Sequence, residues 1–262
     1  MVLDKEKLNQ VITLFKEKTE KTCCKIEIIK GKPEIIDDKL GGFPYLPVGE
    51  NYPTDKNGNP LSLLMQVNLK KVNLPNFPKE GILEVFTNNE FPCEYSVKLF
   101  KEGLEYQKEF PKLDYKFPFV AKPLKIALAN DVAYMSLNDY KIDSVLCPVL
   151  KKVYGIKARS VYEFQDLLGE IVGEDISSQW FEEFCNNIPV HKMTLGGYAD
   201  FTQNDPRTKK NKLDECLFKI DGGIEPCKEI SIGDNGIVWG LISTKDLKKQ
   251  NFNNAVVDWD CL

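Results

Sequence analysis

The sequence predicts an α+β fold: a mixed, largely antiparallel sheet with outer helices, built from two related halves. Three observations point there. Short apolar runs with strand-like character recur along the chain, separated by clusters of Gly, Pro, Asn and Asp. Helical periodicity is confined to a few stretches. Two segments also repeat the same motifs in the same order. The first runs Leu40-Gly41-Gly42-Phe43-Pro44, Leu64-Met65-Gln66-Val67, Gly81-Ile82-Leu83, and the second Leu195-Gly196-Gly197-Tyr198, Leu217-Phe218-Lys219-Ile220, Gly236-Ile237-Val238. Gly42 to Gly81 and Gly197 to Gly236 are both 39 residues, and the offset between segments is 155. Each half alone would expose a sheet face. One domain is therefore expected over residues 1–262, with pseudo-repeats of about 1–150 and 151–262 sharing a core and a ligand cleft between them.

The elements follow in order. Asp4 caps a helix over 5–20, whose Leu8, Val11, Ile12 and Phe15 fall on one face. Residues 24–29 alternate as a half-buried strand. From Gly41 to Pro60 the composition is that of a long structured loop. Strands are expected at 61–69 and 81–87, and shorter ones at 95–100, 104–110, 124–129 and 131–137. Ser160-Val161-Tyr162-Glu163 is a capping box opening a helix with Val161, Phe164, Leu168 and Ile171 on its apolar face. A second helix is expected at 178–186, strands near His191, at 216–220 and at 236–243, and a short helix near 244–250.

Composition narrows the function classes. The 35 Lys+Arg and 39 Asp+Glu leave a net charge of −4, too balanced for binding driven by nucleic-acid phosphates. No apolar run nears the roughly 20 residues of a membrane span. The Met1–Lys7 start has no apolar core of a secretory signal, so a cytoplasmic location is expected. The eight cysteines are then expected as free thiols, with Cys24, Cys216 and Cys227 as small buried hydrophobes. No Cys-x-x-Cys pair occurs, so no metal and no cofactor are expected.

The sharpest local motif is Lys39-Leu40-Gly41-Gly42-Phe43-Pro44-Tyr45-Leu46-Pro47. With it stand Pro60-Leu61-x-Leu-Leu-Met-Gln66-Val-Asn-Leu69, Pro78-x-x-Gly81, Gly196-Gly197-Tyr198, Gln203-Asn204-Asp205-Pro206, Gly233-Asp234-Asn235-Gly236 and Asp258-Trp259-Asp260-Cys261. In this order, over nearly the whole chain, they resemble the YwqG-like family, whose members are of unknown function. Ile232 stands where that family tends to carry Trp. The resemblance implies an α+β fold with an internal duplication and no particular activity.

Catalytic signatures are sparse. His191 is the single histidine, which removes chemistry that needs two. There is no Gly-x-Ser-x-Gly elbow, phosphate loop or dinucleotide fingerprint. Asp205, Asp234, Asp246, Asp258 and Asp260 gather late in the chain, where Asx turns are their ordinary use. The basic run 207–212 reads as a solvated loop. The leading expectation is thus a non-enzymatic binding or protein-interaction module, a monomer or weak dimer. Its ligand would be a protein or a small polar molecule held by Gly41, Gly42, Gln66, Gly196, Gly197 and Gln203. Paired glycines let backbone amides approach a solute, and the glutamines both donate and accept. The alternative is an enzyme of undefined class using the carboxylates and His191.

Overall fold

The computed structural model describes residues 3–88, 90, 93–113, 119–203, 205–208, 210–223 and 229–262. They form five α-helices and ten strands in two compact units, each assembled from two chain segments. No helix among the described residues is long and apolar enough to cross a membrane.

One unit comprises residues 1–21 and 132–191. It contains α1 (Lys5–Thr19), α2 (Ile142–Tyr154), α3 (Val161–Val172) and α4 (Glu174–Asn187). Asp4 caps α1 through its Oδ1, which accepts the Lys7 N–H at 3.1 Å, and Ser160 Oγ caps α3 by accepting the Glu163 N–H. Gly173, at φ 99°, separates α3 from α4, which starts one residue later, earlier than periodicity predicts. The core of this unit is aromatic. Phe15 meets Phe184 edge-on, Phe184 stacks on Trp180, and Trp180 packs against Phe164. Tyr154 Oη accepts the Trp180 Nε1–H at 2.9 Å, so the buried indole keeps a partner.

The other unit comprises residues 22–131 and 192–262. The strands are β1 (Lys21–Ile28), β2 (Lys39–Leu40), β3 (Ser62–Asn68), β4 (Ile82–Thr87), β5 (Tyr95–Phe100), β6 (Leu124–Ala133), β7 (Met193–Gly196), β8 (Glu215–Asp221), β9 (Ile237–Ile242) and β10 (Val256–Asp260). They form one ten-stranded sheet in the order β10-β9-β8-β7-β1-β6-β2-β3-β4-β5. β2 through β5 and β7 through β10 are each antiparallel meanders. A register shift interrupts β3–β4 between Leu63 and Met65, and another interrupts β8–β9 between Cys216 and Phe218. One face of both meanders feeds a common apolar core that includes Leu40, Met65, Val85, Leu195, Phe218 and Val238. The short helix α5 (Thr244–Lys248) is capped by Ser243, whose Oγ accepts the Asp246 N–H at 3.0 Å.

The expected strands at 124–129 and 131–137 are one strand, β6, and the strand expected around His191 begins at Met193. Residues 104–110 form no sheet strand. They run beside the stretch after the first Gly-Gly pair, with Val48 N–H donating to Glu105 O and Gln107 N–H to Leu46 O. α2 and β10 have no counterpart in the sequence expectations.

Candidate functional site

β2 ends in Gly41 and Gly42, at φ 67° and 81°. Their positive φ turns the chain away from the sheet, and the space beside them is filled. A Cβ on Gly41 would lie 2.9 Å from Val120 Cγ1, and one on Gly42 3.0 Å from Pro123. Only glycine meets both demands without strain. The stretch that follows is tied down by Tyr45, whose N–H donates to Gln66 Oε1 at 2.7 Å and whose hydroxyl accepts the Leu104 N–H at 2.7 Å.

Beside this turn lies a cavity of about 570 Å³, bounded by the ends of β3 and β4, by Gly42 and Phe43, and by residues 110–113 and 119–123. That volume is in the range of small-molecule pockets. The walls are mainly apolar, including Leu63, Leu64, Phe110, Leu113, Phe119 and Val120. Phe43 is 56% exposed yet stacks on Phe110, with centroids 5.0 Å apart and planes 12° from parallel. Tyr52 meets Phe110 edge-on and continues inward to Phe86.

Three polar side chains in this lining matter. Asn88 is 2% exposed. Its Oδ1 accepts the Glu94 N–H at 2.9 Å, while its Nδ2 has no hydrogen-bond partner among the described residues. A buried donor left so costs free energy until something accepts from it. Lys112 and Lys122 are exposed, and no Asp or Glu lines the cavity among the described residues. Thr87 Oγ1, also in the lining, is engaged with Asn88 O and Cys93 Sγ.

The expected site residues are placed as follows. Gly42 lines the cavity and Gly41 sits against its Val120 wall. Gln66 is buried in β3. Its Oε1 takes the Tyr45 N–H, and its Nε2 donates to Ile35 O and Asp37 O at 2.7 and 2.9 Å. Gly196 and Gly197 have φ 65° and 68°, and a Cβ on Gly196 would lie 2.8 Å from Leu74 Cδ1. Gln203 is exposed, its Nε2 donating to Cys261 O at 2.8 Å and its N–H to Asp260 Oδ2 at 3.1 Å. Neither the second Gly-Gly pair nor the two glutamines belong to the cavity lining.

Other candidates have local structural work. His191 Nε2 is 2.8 Å from Val132 O. Asp205 binds Arg207 through both carboxylate oxygens, at 2.7–3.1 Å. Arg207, expected in a solvated loop, is instead buried, with its guanidinium 5.4 Å over Phe201. Asp246, in α5, accepts from Ser243 Oγ, Asn251 Nδ2 and Asn254 Nδ2, which holds its carboxyl below the usual range. Asp258 is raised by burial. Glu84 is fully buried in β4, and its oxygens have no partner among the described residues. Burial pushes its carboxyl up to about 8, while burial brings the neighbouring Lys39 ammonium down to about 8 against the pull of Glu84 and two aspartates.

The seven described cysteines carry no disulfide, and Cys24 and Cys216 are buried. Burial lifts Cys23 and Cys93 to about 12 and Cys24 to about 11, which removes thiolate character. Cys227, with Asn204 and Lys209 of the motifs above, lies outside the described residues. No group of three metal-ligating side chains converges among the described residues.

Asn88 and Phe110 are the residues that sequence reading missed. Asn88 follows a strand and reads as turn chemistry, and nothing in the local pattern distinguishes a buried amide from a turn amide. Phe43 offered a signal: an aromatic between Gly42 and Pro44 in a polar loop.

No curated protein matches the chain. A family described as a domain of unknown function, DUF1963, matches residues 38–261, which takes in the sheet from β2 onward and the cavity. The chain belongs to this DUF1963 family.

Proposed function

We propose that this protein is a non-enzymatic binding module that takes a small, mainly apolar ligand into the cavity beside Gly41 and Gly42. The observation that carries the reading is the cavity itself: about 570 Å³, apolar walls, and an aromatic pair at its lip. The exposed Phe43 ring, stacked on the half-buried Phe110 beside an apolar hollow, buries surface when a ligand enters, which favours binding by roughly 25 cal/mol per Å² of apolar area. The hydrogen bond between His191 Nε2 and Val132 O and the pairing of Asp205 and Asp246 support binding over catalysis. Gln66, Gly196, Gly197 and Gln203 enter the proposal as framework that shapes the two loops. We also place the chain among YwqG-like proteins, as a cytoplasmic monomer or weak dimer whose two meanders descend from one duplicated unit. The common strand order and the two matching register shifts support that descent.

The test is a fluorescence titration with the neutral apolar dye N-phenyl-1-naphthylamine. Saturable binding at one site per chain is expected, and Ala121→Trp, which fills the cavity from an exposed lining position, should abolish it. Absence of binding by the native protein, or full binding by a folded Ala121→Trp, overturns the reading.

A further inference from the structure

We infer that the ligand is an apolar carboxylate, its anionic end accepting a hydrogen bond from Asn88. This rests on the cavity reading above and adds the chemistry of the polar end. Asn88 is buried, its carbonyl oxygen is already engaged by the Glu94 N–H, and only the Nδ2 hydrogens remain. The group that completes this site must therefore accept, not donate. A buried donor that gains an acceptor only on binding adds selectivity, because a ligand without one leaves it unmet.

Charge decides the kind of acceptor. The described lining carries two ammonium groups, Lys112 and Lys122, and no carboxylate. Neither lysine has an ion pair among the described residues. Such a wall attracts an anion and repels a cation. The ligand body is bounded by the walls: Phe43, Phe110, Leu63 and Val120 offer flat and branched apolar surface and no further unmet polar atom. A flat or short-chain monocarboxylate satisfies these conditions together. A polyphosphate does not, because the apolar walls would desolvate its charges without pairing them.

The experiment compares two probes with one ring system, 2-naphthoate and 2-naphthalenemethanol, each displacing the neutral dye. Equal rings make the apolar contribution common to both, so the ratio of affinities reads the polar end. The carboxylate should bind about tenfold tighter than the alcohol, the scale of one charge-assisted hydrogen bond after desolvation. Asn88→Asp keeps the acceptor for Glu94 N–H and removes the donor, so the ratio should fall to about one or below. Lys112→Gln with Lys122→Gln should lower it by roughly threefold and weaken its dependence on salt. Dye binding with a ratio near one in the native protein overturns the carboxylate inference and leaves the cavity reading standing. No dye binding overturns the cavity reading itself. A tenfold ratio that survives in Asn88→Asp removes Asn88 from the site. If Asn88→Asp fails to fold, the lysine double variant still decides, since an unchanged ratio and salt response there overturn the anionic assignment.

Discussion

The two meanders share a strand plan and differ in what fills it. Across β2–β5 the outward row reads Lys39, Gln66, Glu84, Lys98, and across β7–β10 the row in the same register reads Thr194, Lys219, Trp239, Asp258. The stretch after each Gly-Gly pair contributes to what lies over its row. In the first meander Tyr45 donates its N–H to Gln66, and in the second Phe201 meets Trp239 edge-on at 5.4 Å. The inward faces differ by exchange of volume between partners. Met65 sits opposite Val85, where Phe218 sits opposite Gly240. The Phe218 ring occupies the space a side chain at 240 would need. Inward positions are thus held to a total volume, while outward positions change polarity outright. The opposite row is largely buried as well, so its polarity can change only together with the stretch that covers it and meets its polar groups.

The largest predicted effect tests the polar row. Gln66→Ala leaves the buried Tyr45 N–H and the half-buried Asp37 carbonyl without this partner, while Ile35 O keeps Lys39 Nζ. Loss of about 4 kcal/mol is expected, from the unmet groups and the hole together. Chemical denaturation measures it. A loss under about 1 kcal/mol would mean that the stretch over the first meander does not depend on this amide.

Next in size is the volume exchange. Gly240→Val overpacks the Phe218 ring and should cost about 3 kcal/mol. Adding Phe218→Met recreates the Met–Val pair of the first meander and should recover at least half of that loss. The coupling is read from a double-mutant cycle. If the two changes simply add, the equivalence of the pairs 65–85 and 218–240 is broken, and the proposed duplication loses its best side-chain support.

These contrasts also explain what could be read from sequence. The α1, α3 and α5 caps were legible because Asp4, Ser160 and Ser243 each precede a helical face and bond to the third residue on. β3, β4, β8 and β9 were legible as apolar runs, β4 and β9 directly behind Gly81 and Gly236. α2 was hidden: Lys141 provides no side-chain cap, and Pro148 interrupts an otherwise amphipathic pattern. β10 was hidden because three of its five residues are Asp258, Trp259 and Asp260, a composition that reads as a polar terminus. The Gly-Gly pairs were visible, but their reason is tertiary, the approach of Val120, Pro123 and Leu74. The cavity was illegible because residues 42, 63, 88, 110 and 120 meet only through the sheet.

Glu84 gives a third way to separate the meanders, since Trp239 takes its place in the second. Its carboxyl is raised from about 4.5 to about 8 by burial, so the folded state holds a proton that the unfolded state releases. Stability contributed by this group is present below the unfolded value and lost as pH rises toward 8. Lys39 is lowered to about 8, so the unfolded state binds the extra proton between that value and 10.5, and stability climbs again there. A minimum near pH 8 follows. Glu84→Gln should flatten the fall between pH 6 and 8, measured as the denaturation midpoint in urea. A fall that persists unchanged in Glu84→Gln would assign it to other groups.

The smallest effect concerns Gln203, which the sequence pairs with Gln66 as a candidate ligand group. The two amides are not in equivalent settings. Gln66 is buried and meets three backbone groups, whereas Gln203 is exposed and meets one, Cys261 O. The bond from its own N–H to Asp260 Oδ2 survives truncation at Cβ. An exposed amide that returns to water loses little, so Gln203→Ala should cost under about 0.5 kcal/mol and shift Tm by no more than about 2 °C. Affinity of the cavity for the neutral dye should not change, because Gln203 is absent from the lining. Weaker dye binding in a Gln203→Ala variant of native stability would join the second Gly-Gly region to the first in one site. The two meanders would then be partners in binding, and the cavity at the end of the first would be only half of the ligand's surroundings.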